Sequence, residues 1–264
     1  MNNNTFNARR FALVLKKELV ENKRTLLLLT LGGYAALTLF MVMGNLLTPN
    51  PPGELLLAIQ IGVFSLGSLT MNIMASLMYR QLRTKEGSIN LLILPASTLE
   101  KWLANILLYF VMPAIAYFAI AQLADLSRYA LMGAIKGFDN TVGPLNFVSE
   151  PLTHGLAFTP GWTGVAQIVA GCLLGAAVYA LGSVLWPRFT FIKVMALEYA
   201  VEVTVIIAFA LLILALGKQW AIDLAGSLDT LFSSELVLAL LVLAVAGLLW
   251  LNYHLLKKRN IIMH

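Results

Sequence analysis

The chain holds a single cysteine, Cys172, and three histidines among its 264 residues. One thiol excludes an intramolecular disulfide and any cysteine-built metal cluster. There is no H-E-x-x-H sequence and no G-x-x-x-x-G-K-[ST] loop, so the chain has neither that zinc site nor that means of cradling nucleotide phosphates. Charge is scarce too: 12% of residues are charged against 59% hydrophobic, which leaves no stretch long enough for a separate soluble domain. The first 24 residues are too polar for a signal-peptide apolar region, and no small-residue cleavage site follows, so the first apolar run is expected to stay as an anchor.

Apolar runs are what the sequence has in excess. They cover roughly 25–47, 54–79, 102–124, 162–186, 190–216 and 236–256, each near the length of about 20 residues that a helix needs to cross hydrocarbon. An all-α fold is expected, one membrane domain over residues 1–264 with six transmembrane helices.

Fifteen of the 18 Lys and Arg residues fall on alternate connections. Arg9, Arg10, Lys16, Lys17, Lys23 and Arg24 precede the first run, and Arg80, Arg83, Lys85 and Lys101 lie between the second and third. Arg188 and Lys193 separate the fourth from the fifth, and Lys257, Lys258 and Arg259 follow the sixth. The other connections hold only Arg128, Lys136 and Lys218, so the positive-inside bias predicts both termini in the cytosol. These cations are dispersed at helix ends rather than gathered on a soluble face. The net charge of +5 therefore points to a lipid bilayer as partner and away from nucleic acid.

Residues 5–23 read as an amphipathic helix, with Phe11, Val14, Leu15 and Leu19 at three- and four-residue spacing and Arg10, Lys17 and Glu21 on another face. Its expected place is the cytosolic interface, the other reading being a solvated leader. Thr48–Gly53 is a proline-rich turn, and 125–161, rich in Gly, Pro and Asn, is the expected external cap. Ser234 before Glu235 is a candidate helix cap. Pro113 predicts a kink in the third span. Gly171 and Gly175 form a GxxxG spacing, followed by Gly182, which suits close helix packing within the chain or along a homodimer seam.

Candidate chemistry is sparse. Gly182-Ser183 with His154 or His254 is a poor hydrolytic set, because those histidines belong to an outer loop and an inner helix end. Glu198 and Glu202 are the acids inside an apolar run, and their i, i+4 spacing places both on one helix face. Counted from Thr190, Glu202 lies about 18 Å deep, near the midplane. Either the pair faces a bundle interior or aqueous cavity, or Glu198 sits at the interface and Glu202 is protonated against a neighbour. Asp125 and Arg128 read as a surface pair that anchors the outer end of the third span.

The segment from Tyr79 to Trp102 is the most informative. It begins basic, contains a short apolar stretch broken at Pro95, and resumes with Ser97 three residues before Glu100, the spacing of a capping box. Arg83, Lys85, Glu86, Gly87, Ser88, Leu91, Leu92, Pro95, Ser97, Glu100 and Lys101 are arranged as in the connection between spans two and three of permease subunits of type-2 ABC exporters, which the chain resembles. The wording of Leu-Pro-Ala-Ser followed by Glu-Lys-Trp is similar to permeases of Bacteroidetes-type bacteria. A long outer connection after span three departs from the many family members that concentrate external structure between spans five and six.

The resemblance implies a non-catalytic membrane subunit in a bacterial cytoplasmic membrane, exporting a substrate with a second permease copy or paralogue and a separate ATPase subunit. It implies no cofactor and no metal in this chain, ATP being held by the partner. The helix over residues 84–95, with Lys85, Glu86, Gly87, Ser88, Ile89, Leu91, Leu92, Ile93 and Pro95, would then dock into the ATPase. By their spacing alone, Ile89, Leu92 and Ile93 could instead bury against the membrane surface. Two other classes are weighed beside the exporter: an intramembrane enzyme, disfavoured by the lack of a convergent catalytic set, and a non-transporting scaffold or sensor.

Overall fold

The computed structural model describes residues 6–47, 53–134, 162–217, 219, 220, 222 and 234–262. Among these every regular element is a helix. The main ones are α1 (Ala8–Leu47), α2 (Gly53–Ser76), α3 (Lys85–Ile93), α4 (Thr98–Ala134), α5 (Trp162–Leu185), α6 (Thr190–Leu216) and α7 (Ser234–Ile262), with a 3-10 turn at Arg80–Arg83 before α3. In α1, α4, α5, α6 and α7, length and apolarity suffice to cross a bilayer. The 24 residues of α2, with an apolar run over Ile61–Ser76, are compatible with a sixth crossing. This is a membrane protein.

Helices are the solution because hydrocarbon offers no partner for backbone N–H and C=O groups, which must bond within the segment. Isolated hydroxyls on the helices follow the same logic. Thr30, Thr38, Ser65, Thr70, Ser127 and Thr204 each donate to the carbonyl four residues earlier, so none brings an unsatisfied donor into the apolar layer.

The helices pack in two groups joined by α2. Along one side α1 lies against α4; on the other, α5 lies against α7; α2 touches both. One core, built from Leu37, Met41, Val63, Tyr117, Ala121 and Ala124, ties α1, α2 and α4. The larger core includes Tyr79, Leu108, Tyr179, Val194 and Leu256 and draws α2, α4, α5, α6 and α7 together at the other end. Two glycines allow this closeness. A side chain at Gly67 would enter the ring of Tyr117, and one at Gly182 would strike Val194 of α6.

α1 runs unbroken for 40 residues, about 60 Å at 1.5 Å per residue, or twice the hydrocarbon thickness. The amphipathic segment is helical, and its expected apolar face is partly covered by protein. Val14 is buried, Leu15 packs on the larger core, and Leu19 stays 41% exposed. The buried stripe of this half also carries Glu18 and Asn22.

α4 continues to Ala134, ten residues past the expected end of its span, so the segment before residue 135 is helix rather than loop. Asp125 and Arg128 are accordingly not a surface pair. They lie 2.7 Å apart and are 0% and 3% exposed, on the part of α4 that packs along α1. Before Pro113, residues Leu107–Val111 form a π turn. Proline lacks the N–H that would bond the carbonyl four residues back, and the wider turn accommodates that loss. The Thr48–Pro52 turn and the 135–161 part of the outer connection lie outside the described residues.

Candidate functional site

The hairpin between α2 and α4 is built from local signals. Thr84 caps α3, its hydroxyl accepting from the Gly87 N–H at 3.1 Å. Gly87 has no room for a Cβ, which would collide with the carbonyl oxygen of Gln81, so glycine lets the first turn of α3 fold onto the 3-10 turn. Leu94 leaves the helix with ψ 121°, the extended conformation favoured before proline. Ser97 then opens α4 with a reciprocal capping box: the Glu100 N–H donates to Ser97 Oγ at 3.2 Å, and the Ser97 N–H donates to Glu100 Oε2 at 2.9 Å.

Long-range contacts fix this hairpin to three other segments. The start of α1 is held by Glu100, whose Oε1 accepts from the Asn7 N–H at 2.7 Å and from Arg10 Nη2 at 3.1 Å. Further along α1, Glu18 accepts from Gln81 Nε2 at 2.7 and 2.8 Å, and Arg80 Nη1 donates to Thr25 Oγ1 at 3.1 Å. The connection between α5 and α6 is held by Arg83 Nε, which donates to the Pro187 carbonyl at 2.7 Å. Arg259 of α7 reaches the Val184 carbonyl at 2.5 Å. The four cation-rich segments thus meet at one end of the bundle.

The two buried acids there, both outside the apolar runs 25–47 and 102–124, are electrostatically opposite. Burial pushes the Glu18 carboxyl up, and the amides of Gln81 and Asn22 offset only part of that. Burial acts on Glu100 in the same direction, but the N–H groups of Asn7 and Ser97 and the Arg10 guanidinium outweigh it and hold that carboxyl below its ordinary value. Glu100 is therefore a fixed anion that docks α1, whereas Glu18 is an acid that buries most readily with its proton.

α3 itself is presented outward. Lys85 and Glu86 are exposed, Gly87 and Ser88 are half-buried, and Ile89 and Ile93 are 52% and 73% exposed. The side chains of Leu91 and Leu92 lie outside those described. A cleft of about 320 Å³ separates α3 from α1, lined by Lys17, Glu21, Gln81, Asn90, Ile93 and Pro95 among others.

The remaining predicted residues are scattered. Glu198 accepts from the Tyr179 hydroxyl at 2.8 Å, while Glu202, one turn further, is exposed on the open face of α6. Gly175 faces Asn72 of α2, where an added Cβ would lie 3.2 Å from Oδ1, and Gly171 has no neighbour within 4 Å. Cys172 is free and half-buried, and His254 stacks on Trp250 with ring centroids 4.9 Å apart. His154 lies outside the described residues. Among those described, no group of three or more His, Cys, Asp or Glu residues is placed to hold a metal ion.

One polar centre was missed in the sequence. Asn252 of α7 is fully buried; its Oδ1 accepts from the Tyr79 hydroxyl at 3.2 Å and Trp102 Nε1 at 3.1 Å, and its Nδ2 donates to the Ala180 carbonyl at 2.8 Å. A single amide so joins α4, α5 and α7 to Tyr79, in the turn after α2. Its only sequence signal is an Asn inside an apolar run. Compared with protein-family models, curated proteins and solved structures, the chain matches none.

Proposed function

We propose that this chain is the membrane subunit of an ATP-driven exporter in a bacterial cytoplasmic membrane, with its termini and α3 in the cytosol and its ATPase on a separate chain. The observation that carries the reading is the presentation of α3. A nine-residue helix with exposed Ile89 and Ile93 is held by a glycine-tight turn and a capping box, and is anchored to α1 and to the α5–α6 connection. Such a peg suits a groove on a cytosolic protein, and its anchors suit the transfer of movement into the bundle. The chain supplies no nucleotide site; ATP is bound and hydrolysed by the partner. A second permease copy or paralogue covers α6, whose most apolar stretch is 0% buried and which leaves the carboxylate of Glu202 facing outward near mid-membrane.

The test is co-purification with an ATPase encoded beside the gene, using wild type and Ile93→Asp. A charge placed in a dry contact should abolish retention of the ATPase and its stimulation. Retention by Ile93→Asp, or the absence of any associated ATPase, would defeat the proposal. Hydrolysis of a substrate without ATP would instead favour an enzyme.

A further inference from the structure

The inner half of α1 has an outward face that none of the described residues covers. At 3.6 residues per turn, Arg9, Lys16, Lys23 and Arg24 fall within an arc of about 100° that also holds Leu13 and Val20. Buried Val14, Glu18 and Asn22 occupy the opposite side. All four cations are exposed, and among the described residues none pairs with an acid. Leu13 and Val20 are 61% and 54% exposed. The nearest acids are engaged elsewhere: Glu18 on Gln81, and Glu21 on Lys17 at 3.5 Å. The face is thus purely cationic and apolar, in two stripes of seven-residue period, Arg9-Lys16-Lys23 and Leu13-Val20.

Its position narrows the occupant. The same helix enters the apolar run at Thr25, so Lys23 and Arg24 stand at the hydrocarbon boundary, and Lys16 lies about 13 Å further along the axis. That is about the thickness of the headgroup layer plus the length of a lysine side chain. We infer that this face docks on anionic phospholipid headgroups, with Lys16, Lys23 and Arg24 against phosphates and Leu13 and Val20 seated among the lipids. Cations alternating with bulky apolar residues match such a surface on both counts. Neutral lipid would leave the charges unanswered. The inference rests on the membrane character of the chain and not on the exporter reading. Because Glu18 on the opposite side of α1 holds Gln81, lipid docking also sets the stance of the α3 hairpin.

The test uses full-length protein carrying Cys172→Ser and a single environment-sensitive fluorophore at Leu13→Cys. It is reconstituted in phosphatidylcholine vesicles with or without one third phosphatidylglycerol, and quenched by nitroxide-labelled lipid. Leu13 lies about 18 Å from Thr25 along the axis, so an upright helix leaves it in water and a docked one brings it to the interface. The expected result is several-fold stronger quenching with phosphatidylglycerol, reversed by high salt and lost in the Lys16→Gln, Lys23→Gln, Arg24→Gln triple variant. Native mass spectrometry of the wild type, which needs no variant, should show retained phosphatidylglycerol in preference to phosphatidylcholine. Equal quenching in both vesicle types, or a probe that remains in water in both and is shielded only by a soluble protein, would overturn the inference.

Discussion

Arg83 and Arg188 clasp two connections that are more than a hundred residues apart: Arg83 Nε donates to the Pro187 carbonyl at 2.7 Å, and Arg188 Nε donates back to the Arg83 carbonyl at 3.3 Å. The clasp holds a strained segment. Phe189, which precedes α6, has φ 57°, a left-handed conformation that a bulky residue seldom adopts. Whatever displaces the 3-10 turn before α3 therefore also pulls on the start of α6. The α2–α4 and α5–α6 connections act as one body.

Removing the clasp should separate them. Arg83→Met leaves the Pro187 carbonyl without its donor, a loss of about 1.5–3 kcal/mol for a charge-assisted bond. Spin labels at Asn90→Cys and Phe189→Cys should give a broader distance distribution in the variant than in the wild-type background, and an unchanged distribution would show that the two connections are held by other means.

Asn252→Leu should be among the most harmful single changes in the bundle. It strips the acceptor from Tyr79 and Trp102 together, and buried donors left unsatisfied cost about 1–3 kcal/mol each. A fall of several degrees in the detergent unfolding temperature is expected, whereas a conservative change at exposed His254 should leave it unchanged.

pH separates the two buried acids. A proton binds Glu18 more tightly in the folded protein than at its ordinary 4.5, so the stability it contributes is complete below that value and is lost as pH rises through the raised folded value. Glu18→Gln should abolish this loss and stabilise the protein by about 1 kcal/mol at neutral pH. Glu100, held below its ordinary value, has the opposite sign: its contribution is present above 4.5 and is lost as pH falls through the depressed folded value. Glu100→Gln should thus destabilise at neutral pH and much less in acid. Unfolding temperatures of both variants across the acid-to-neutral range provide the check.

Sidedness is tested by accessibility. In a Cys172→Ser background, an impermeant maleimide applied to intact cells should label Ala134→Cys but not Asn90→Cys or Lys258→Cys. Labelling at Asn90 from outside would invert the orientation.

The legible features were those written in neighbouring residues. The Ser97-to-Glu100 capping box and the proline that ends the α3 segment depend on spacings of a few positions, and the structure places both as expected. The long apolar helices were legible through hydrocarbon length, and lysine and arginine mark the connections that meet at one end of the bundle. Less legible was what each face meets. The spacing of Phe11, Val14, Leu15 and Leu19 announces an apolar stripe, but protein and lipid are equally apolar, and here protein buries Val14, covers Phe11 and Leu15 in part and leaves Leu19 exposed. Asn252 and Glu18 were invisible because their partners lie far away in sequence, at Tyr79, Ala180 and Gln81. Asp125 and Arg128 read as surface residues in the sequence because the apolar run weakens there, while the helix and its packing on α1 continue.

The continuity of α1 has one more consequence. A helix without a proline, glycine hinge or widened turn at the point where it leaves the bilayer bends as a beam, not as a jointed arm. Gly32 and Gly33 lie well within the apolar run, and the junction at Lys23–Thr25 has no such break. A sideways push on the segment before Thr25 must therefore reappear as a tilt of the segment after it, with the opposite sense at the far face of the membrane.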